Sequence, residues 1–137
     1  MKAAIVEQPG KLAVRALPEP PLGDYEARCA LLYGALCAGT DTHLLHGDPP
    51  FCHWIKMPFI LGHESVGTIV ELGAKTRNLR LGQRVLRPGA SYDTTVTPIY
   101  SAWGGLAEFG LVADVAAWRE VHPDDKLPNG MWPKQQV

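Results

Sequence analysis

Cys37, His63 and Glu64 put a thiol, an imidazole and a carboxylate within 28 residues of one another. These are the three side-chain types that bind Zn²⁺ well. Structural zinc sites use four Cys or His ligands in short paired spacings, and these three residues show no such pairing. A mixed sulfur, nitrogen and oxygen set suits a centre with an open or exchangeable position, which is a centre that does chemistry. Gly62 and Gly67 flank the His63-Glu64 pair. Upstream, Thr40-Asp41-Thr42-His43 sets a hydroxyl and a second imidazole three residues apart.

The elements that must position these groups are short. Fourteen glycines and twelve prolines interrupt the chain every few residues, which disfavours long helices. Lys2–Glu7 and Leu12–Leu17 alternate or branch as strands around the turn Pro9-Gly10-Lys11, so a hairpin is predicted. Glu26 to Leu36 is the longest strand candidate, with Ala27, Cys29, Leu31 and Tyr33 on one face. Gly34 or Gly39 lets it bend toward a loop. Thr40 or Asp41 is a suitable N-cap for one or two helical turns through His46, closed by Gly47. Asp48 to Pro58 is a loop. Ser65–Leu72 is a strand ending at Gly73, and Leu81–Leu86 is a turn into another. Residues 87–103 are polar, Thr-rich and irregular. Leu106–Val112 is a strand, Val115–Val121 the last ordered segment, and the prolines after His122 predict an extended tail. Six to eight short strands make the chain mainly β, closing a partly open barrel, with a sandwich as the alternative.

The bulk properties narrow the function classes. At 137 residues the chain is one domain with enough apolar residues for a core. A formal charge of −1, with no block of like charge, gives neither nucleic acid nor a membrane surface an electrostatic footprint. No apolar run approaches the roughly 18–20 residues of a membrane span. The N-terminus lacks a signal-peptide core and cleavage site. Three cysteines without a CxxC argue against a disulfide framework, and a reducing cytoplasm is the expected home.

Four blocks now occur in order: Cys37 with Asp41-Thr42-His43, then Gly62-His63-Glu64-Ser65-Val66-Gly67 through Gly73, then Leu81-Gly82-Gln83-Arg84-Val85, then Gly104-Gly105-Leu106-Ala107-Glu108-Phe109. This resembles the N-terminal catalytic domain, the GroES-like domain, of zinc-dependent medium-chain alcohol dehydrogenases. The likeness covers residues 1–122 and leaves 123–137 as a tail toward a Rossmann cofactor domain. It implies a GroES-like, partly open irregular β-barrel with one or two short helices. It implies NAD(P)-linked oxidation of an alcohol or polyol, with zinc as Lewis acid on the alcohol oxygen. Cys37 and His63 would be zinc ligands and Glu64 a ligand or a swing-in ligand. Thr40 would pass the alcohol proton toward His43, histidine being suited to proton relay near neutral pH.

The family's second domain holds the dinucleotide on a GxGxxG turn, and no such motif stands in these 137 residues. The chain by itself is therefore expected to be inactive. The family pattern sets the zinc cysteine directly before Gly-Thr/Ser-Asp, whereas Ala38 intervenes here. In a strand one extra residue reverses a side chain's face, and in a glycine-containing bend a bulge restores it. Gln83 replaces the usual Asp, which is expected to be a local structural matter. Many relatives bind a structural zinc through four cysteines in the stretch that corresponds to residues 87–103. That stretch has no cysteine here, so one catalytic zinc and no structural zinc is the expectation.

Other residues carry plainer readings. Cys29 reads as core. His46, His53 and His122 read as surface or structural, Glu108 as a structural hydrogen bonder, and Cys52 as part of a packed loop beside Phe51 and Trp54. Trp118 and Trp132 would face the second domain and be exposed without it. The competing class is a stand-alone GroES-like binding or assembly module, and homo-oligomerisation through an edge strand or the tail stays open.

Overall fold

A computed structural model describes residues 1–53 and 55–127, the Cys52 side chain excepted. The readings of Cys52, Trp54 and Trp132 lie outside the described residues. The described residues form two four-stranded sheets, two short α-helices and a single 3-10 turn at Phe51–His53. The first sheet has the order β2-β1-β4-β7, built from Lys2–Gln8 (β1), Lys11–Ala16 (β2), Phe59–Ile60 (β4) and Tyr100–Ser101 (β7). The second has the order β6-β5-β3-β8, from Glu26–Ala35 (β3), Glu64–Leu72 (β5), Arg84–Leu86 (β6) and Phe109–Ala113 (β8). Helix α1 spans Thr40–His46 and α2 spans Val115–Val121.

The first hairpin forms as expected. Gly10 takes a φ of 74°, and Ala4 pairs with Val14 across the strands. Ala3 and Ile5 bury one face of β1 against Ile60, Ala90 and Ala107. On the other face Val6 joins Leu44, Phe59, Leu61 and Ala102 in a second cluster. A third, under the second sheet, contains Ala27, Cys29, Ile69, Leu79, Val85 and Val112. Cys29 is fully buried there, as its alternation predicts. Each large aliphatic or aromatic side chain so enclosed stabilises the fold by about 2 kcal/mol.

The mainly β architecture with two short helices matches the sequence reading, but the sheets stay open and are not closed into a barrel. They meet at one corner. Ala4 N–H donates to Leu106 O at 2.8 Å, Glu108 N–H to Lys2 O at 3.0 Å, and Leu31 N–H to Glu108 O at 2.9 Å. The Glu108 carboxylate also accepts from the Lys2 backbone at 2.7 Å, the structural role expected of it. β4 and β7 are only two residues long. β4 follows directly on the loop read for Asp48 to Pro58 and β7 lies in the stretch read as irregular, both too short for period-2 patterning to reveal.

Two further expectations change. Tyr33 does not share the buried face of Cys29 but is 77% exposed. The β3–β5 register shifts between Leu31 and Tyr33, where β3 carries an extra residue, and that bulge resets the alternation of β3. Trp118 is buried, not exposed. It stacks on His122 with ring centroids 4.7 Å apart, and the Arg119 guanidinium lies 5.2 Å from its ring. Among the described residues no helix is long and apolar enough to cross a membrane.

Candidate metal centre

The antiparallel pairing of β3 with β5 brings the candidate ligands together. Ala35, the last residue of β3, lies opposite Glu64, the first of β5. Cys37 follows two residues later, in the bend before α1, and so faces the turn that carries His63. Because Cys37 lies beyond the strand, the face reversal expected of the extra Ala38 does not apply.

Gly62 makes the turn possible. Its φ is 109°, and a Cβ there would stand 2.5 Å from Leu106 Cγ and 2.7 Å from Leu106 N. With no side chain, it lets Gly105 N–H donate to Gly62 O at 2.8 Å and Leu106 N–H to Leu61 O at 2.9 Å. These bonds clamp the segment before His63 to the Gly104-Gly105 segment.

Cys37 Sγ, a ring nitrogen of His63 and a carboxylate oxygen of Glu64 all lie within 4.8 Å of one another. Ligand atoms held at the usual 2.0–2.3 Å from a tetrahedral zinc stand roughly 3.3–3.8 Å apart. A spread of at most 4.8 Å is close enough for side-chain rotation to reach that geometry. His63 Nε2 is already 3.8 Å from Glu64 Oε1. The His63 side chain is only 13% exposed and Glu64 49%, so the imidazole is fixed while the carboxylate has room to move.

Asp41 organises this set. Of the two roles open to it, capping α1 or hydrogen-bonding within the loop, it takes the second. The N-cap is instead Gly39, with no side-chain cap bond. The buried Asp41 carboxylate turns back: Oδ2 accepts from the Cys37 backbone N–H at 2.8 Å, and Oδ1 lies 3.2 Å from His63 Nδ1. A carboxylate at Nδ1 favours the tautomer protonated there, which leaves the Nε2 lone pair for a metal. One side chain thus sets the position of Cys37 and the ring of His63. The signal in the sequence was a carboxylate four residues after the thiol. Its contact with His63 spans 22 residues and could not be seen there.

Thr40 opens α1, and His43 lies one turn later on the same face of the helix. The His43 side chain is 52% exposed, with Nδ1 3.8 Å from Asp48 Oδ2. Gly47 ends the helix in the left-handed conformation, as predicted, at φ 73°. The structure adds Trp103, whose ring centroid is 5.2 Å from that of His63. It falls in the segment read as irregular, where no periodicity pointed to it.

A family model described as the alcohol dehydrogenase GroES-like domain matches residues 23–123, and the chain belongs to that family. It is 29% identical to the starvation-sensing protein RspB of Escherichia coli K12, over 87% of this chain and 38% of that protein. It is 41% identical to an alcohol dehydrogenase of Geobacillus stearothermophilus, over 62% of this chain and 25% of that one. A Sinorhizobium meliloti 1021 structure assigned as a zinc-binding dehydrogenase and bound to NADP superposes with a TM-score of 0.64 at 30% identity, covering 82% of this chain and 36% of that one. An RspB structure from E. coli CFT073 in complex with NADH gives 0.62 at 25% identity, covering 95% and 39%. The chain therefore spans well under half the length of these relatives. A relative from Mycobacterium tuberculosis is named a zinc-binding alcohol dehydrogenase, and one from Bos taurus a sorbitol dehydrogenase.

Proposed function

We propose that this domain is the metal-binding and substrate-handling part of a zinc-dependent, NAD(P)-linked dehydrogenase acting on an alcohol or its carbonyl counterpart. The carrying observation is the Cys37–His63–Glu64 set with Asp41 behind two of its members. Zinc bound by these residues would supply Lewis-acid polarisation of the substrate oxygen. His63 would bind through Nε2, its ring held by Asp41. Cys37 would bind as the thiolate, from the segment between β3 and α1. Glu64, half exposed, would engage or release the ion and so leave a position for substrate. The Thr40 hydroxyl would take the alcohol proton and pass it along α1 to His43, which opens to solvent beside Asp48.

The dinucleotide would be held by residues outside these 137, since no glycine-rich strand–turn–helix motif stands among them. The 137-residue chain alone is accordingly expected to give no NAD(P) reduction with alcohols. Zinc content of the purified chain tests the proposal. About one equivalent, lost in Cys37→Ala and in His63→Ala with the fold retained, is the supporting result. A folded wild-type chain that takes up no zinc would favour a binding or assembly module.

A further inference from the structure

Among the described residues only two non-glycine residues have positive φ, Arg87 at 56° and Trp103 at 64°. Both occupy a backbone region that costs an L-residue free energy, and such residues gather at functional sites. The two touch each other. The Arg87 guanidinium carbon lies 5.9 Å from the centroid of the Trp103 ring. Trp103 is also the ring that packs beside His63. Arg87 N–H donates to Ser65 O at 2.7 Å, which sets Arg87 across from the residue that follows Glu64. Its side chain is exposed, and its guanidinium makes no hydrogen bond or ion pair with the described residues. A cation with no acidic partner among the described residues thus stands one indole away from the candidate ligands.

We infer that Arg87 is a specificity-determining residue and that the site takes an alcohol carrying an anionic group, a carboxylate or a phosphate. This rests on the proposed alcohol site. A guanidinium offers paired donors that match both anions, and the indole under it restricts where that fork points. A bound divalent cation would add to the same field, so an anionic substrate is drawn in by two positive groups. The spacing, one indole between imidazole and guanidinium, suits a chain of about three to five atoms between hydroxyl and anion.

The test compares matched probes on the zinc-loaded chain by ligand-observed NMR. The pairs are 4-hydroxybutyrate against 1,4-butanediol, and glycerol 3-phosphate against glycerol. Wild type is expected to bind one anionic member about tenfold more tightly than its neutral partner, less so at high salt. The pair that shows the preference separates carboxylate from phosphate. Arg87→Asn removes the charge and tolerates the left-handed backbone. It should erase the preference with zinc content and melting temperature unchanged, and Arg87→Lys should keep part of it. Equal affinities within both pairs in wild type, or a preference that survives Arg87→Asn, would overturn the inference. Absence of zinc uptake with the Arg87-dependent preference intact would instead sink the metal reading and leave the anion subsite standing.

Discussion

At the residue scale, Asp41 holds two of the three candidate ligands, Cys37 and His63. Cys37, His63 and Glu64 were legible as candidates because their types bind zinc and few other pairings explain them. The side chain that orients them was legible only as a polar residue at a helix start. Its two bonds need the Cys37 bend and the His63 turn to be already adjacent. Asp41→Ala removes the partner of Nδ1 and leaves the Cys37 N–H without an acceptor. Zinc affinity is expected to fall about 10–100-fold, read by competition with a chromophoric chelator. An unchanged affinity would show that packing against Trp103 alone holds the ring.

At the element scale, Asp114 does for α2 what Asp41 does not do for α1. Its Oδ1 accepts from Ala117 N–H at 3.0 Å as an N-cap. It also holds the loop before β6 through Arg77 N–H at 2.8 Å, Asn78 N–H at 2.7 Å and the Asn78 amide at 2.9 Å. Burial pushes this carboxyl up, but the four hydrogen bonds outweigh it and leave it below its usual value of 3.8. A depressed carboxyl stabilises the fold above the unfolded value, and the gain is lost as pH falls through the lower folded value. Asp114→Ala is expected to cost about 3 kcal/mol at neutral pH by urea unfolding. The gap to wild type should narrow below about pH 4. A gap that is constant with pH would mean that the charge plays no part. The sequence marks Val115–Val121 as the last ordered segment but shows neither its helical form nor its packing. The Trp118 side chain is buried because the capped helix lies back on the domain, which no local pattern reports.

At the scale of the whole molecule, the centre depends on segments from both sheets meeting at the Gly104-Gly105 corner. Gly89 and Trp103 cross there so closely that a Cβ on Gly89 would stand 1.9 Å from the Trp103 carbonyl oxygen. That clash is with backbone, so no rotamer relieves it. Gly89→Ala is expected to destabilise by about 3 kcal/mol and to weaken zinc binding with it, because Trp103 must shift against His63. Calorimetry and zinc titration on the same sample check the coupling. A loss of stability with zinc affinity intact would separate the corner from the centre. Phe59→Ala, in a fully buried position of the two-residue β4, is expected to cost about 4 kcal/mol, measured by denaturant unfolding.

The sequence by itself determined the strand-rich class, the first hairpin, the long β3 and β5, the short α1 with its Gly47 stop, and the types of the candidate metal-binding side chains. All of these rest on period-2 patterning, turn chemistry or side-chain identity, which are local. Only the tertiary structure decided that Cys37 comes beside His63 and Glu64 from beyond β3, that Asp41 faces His63, that Arg87 stands over Trp103, and that the sheets stay open. Each of these depends on strand register and on backbone approaches across many residues. A single bulge or missing Cβ changes them, and no local pattern encodes where the partner chain will pass.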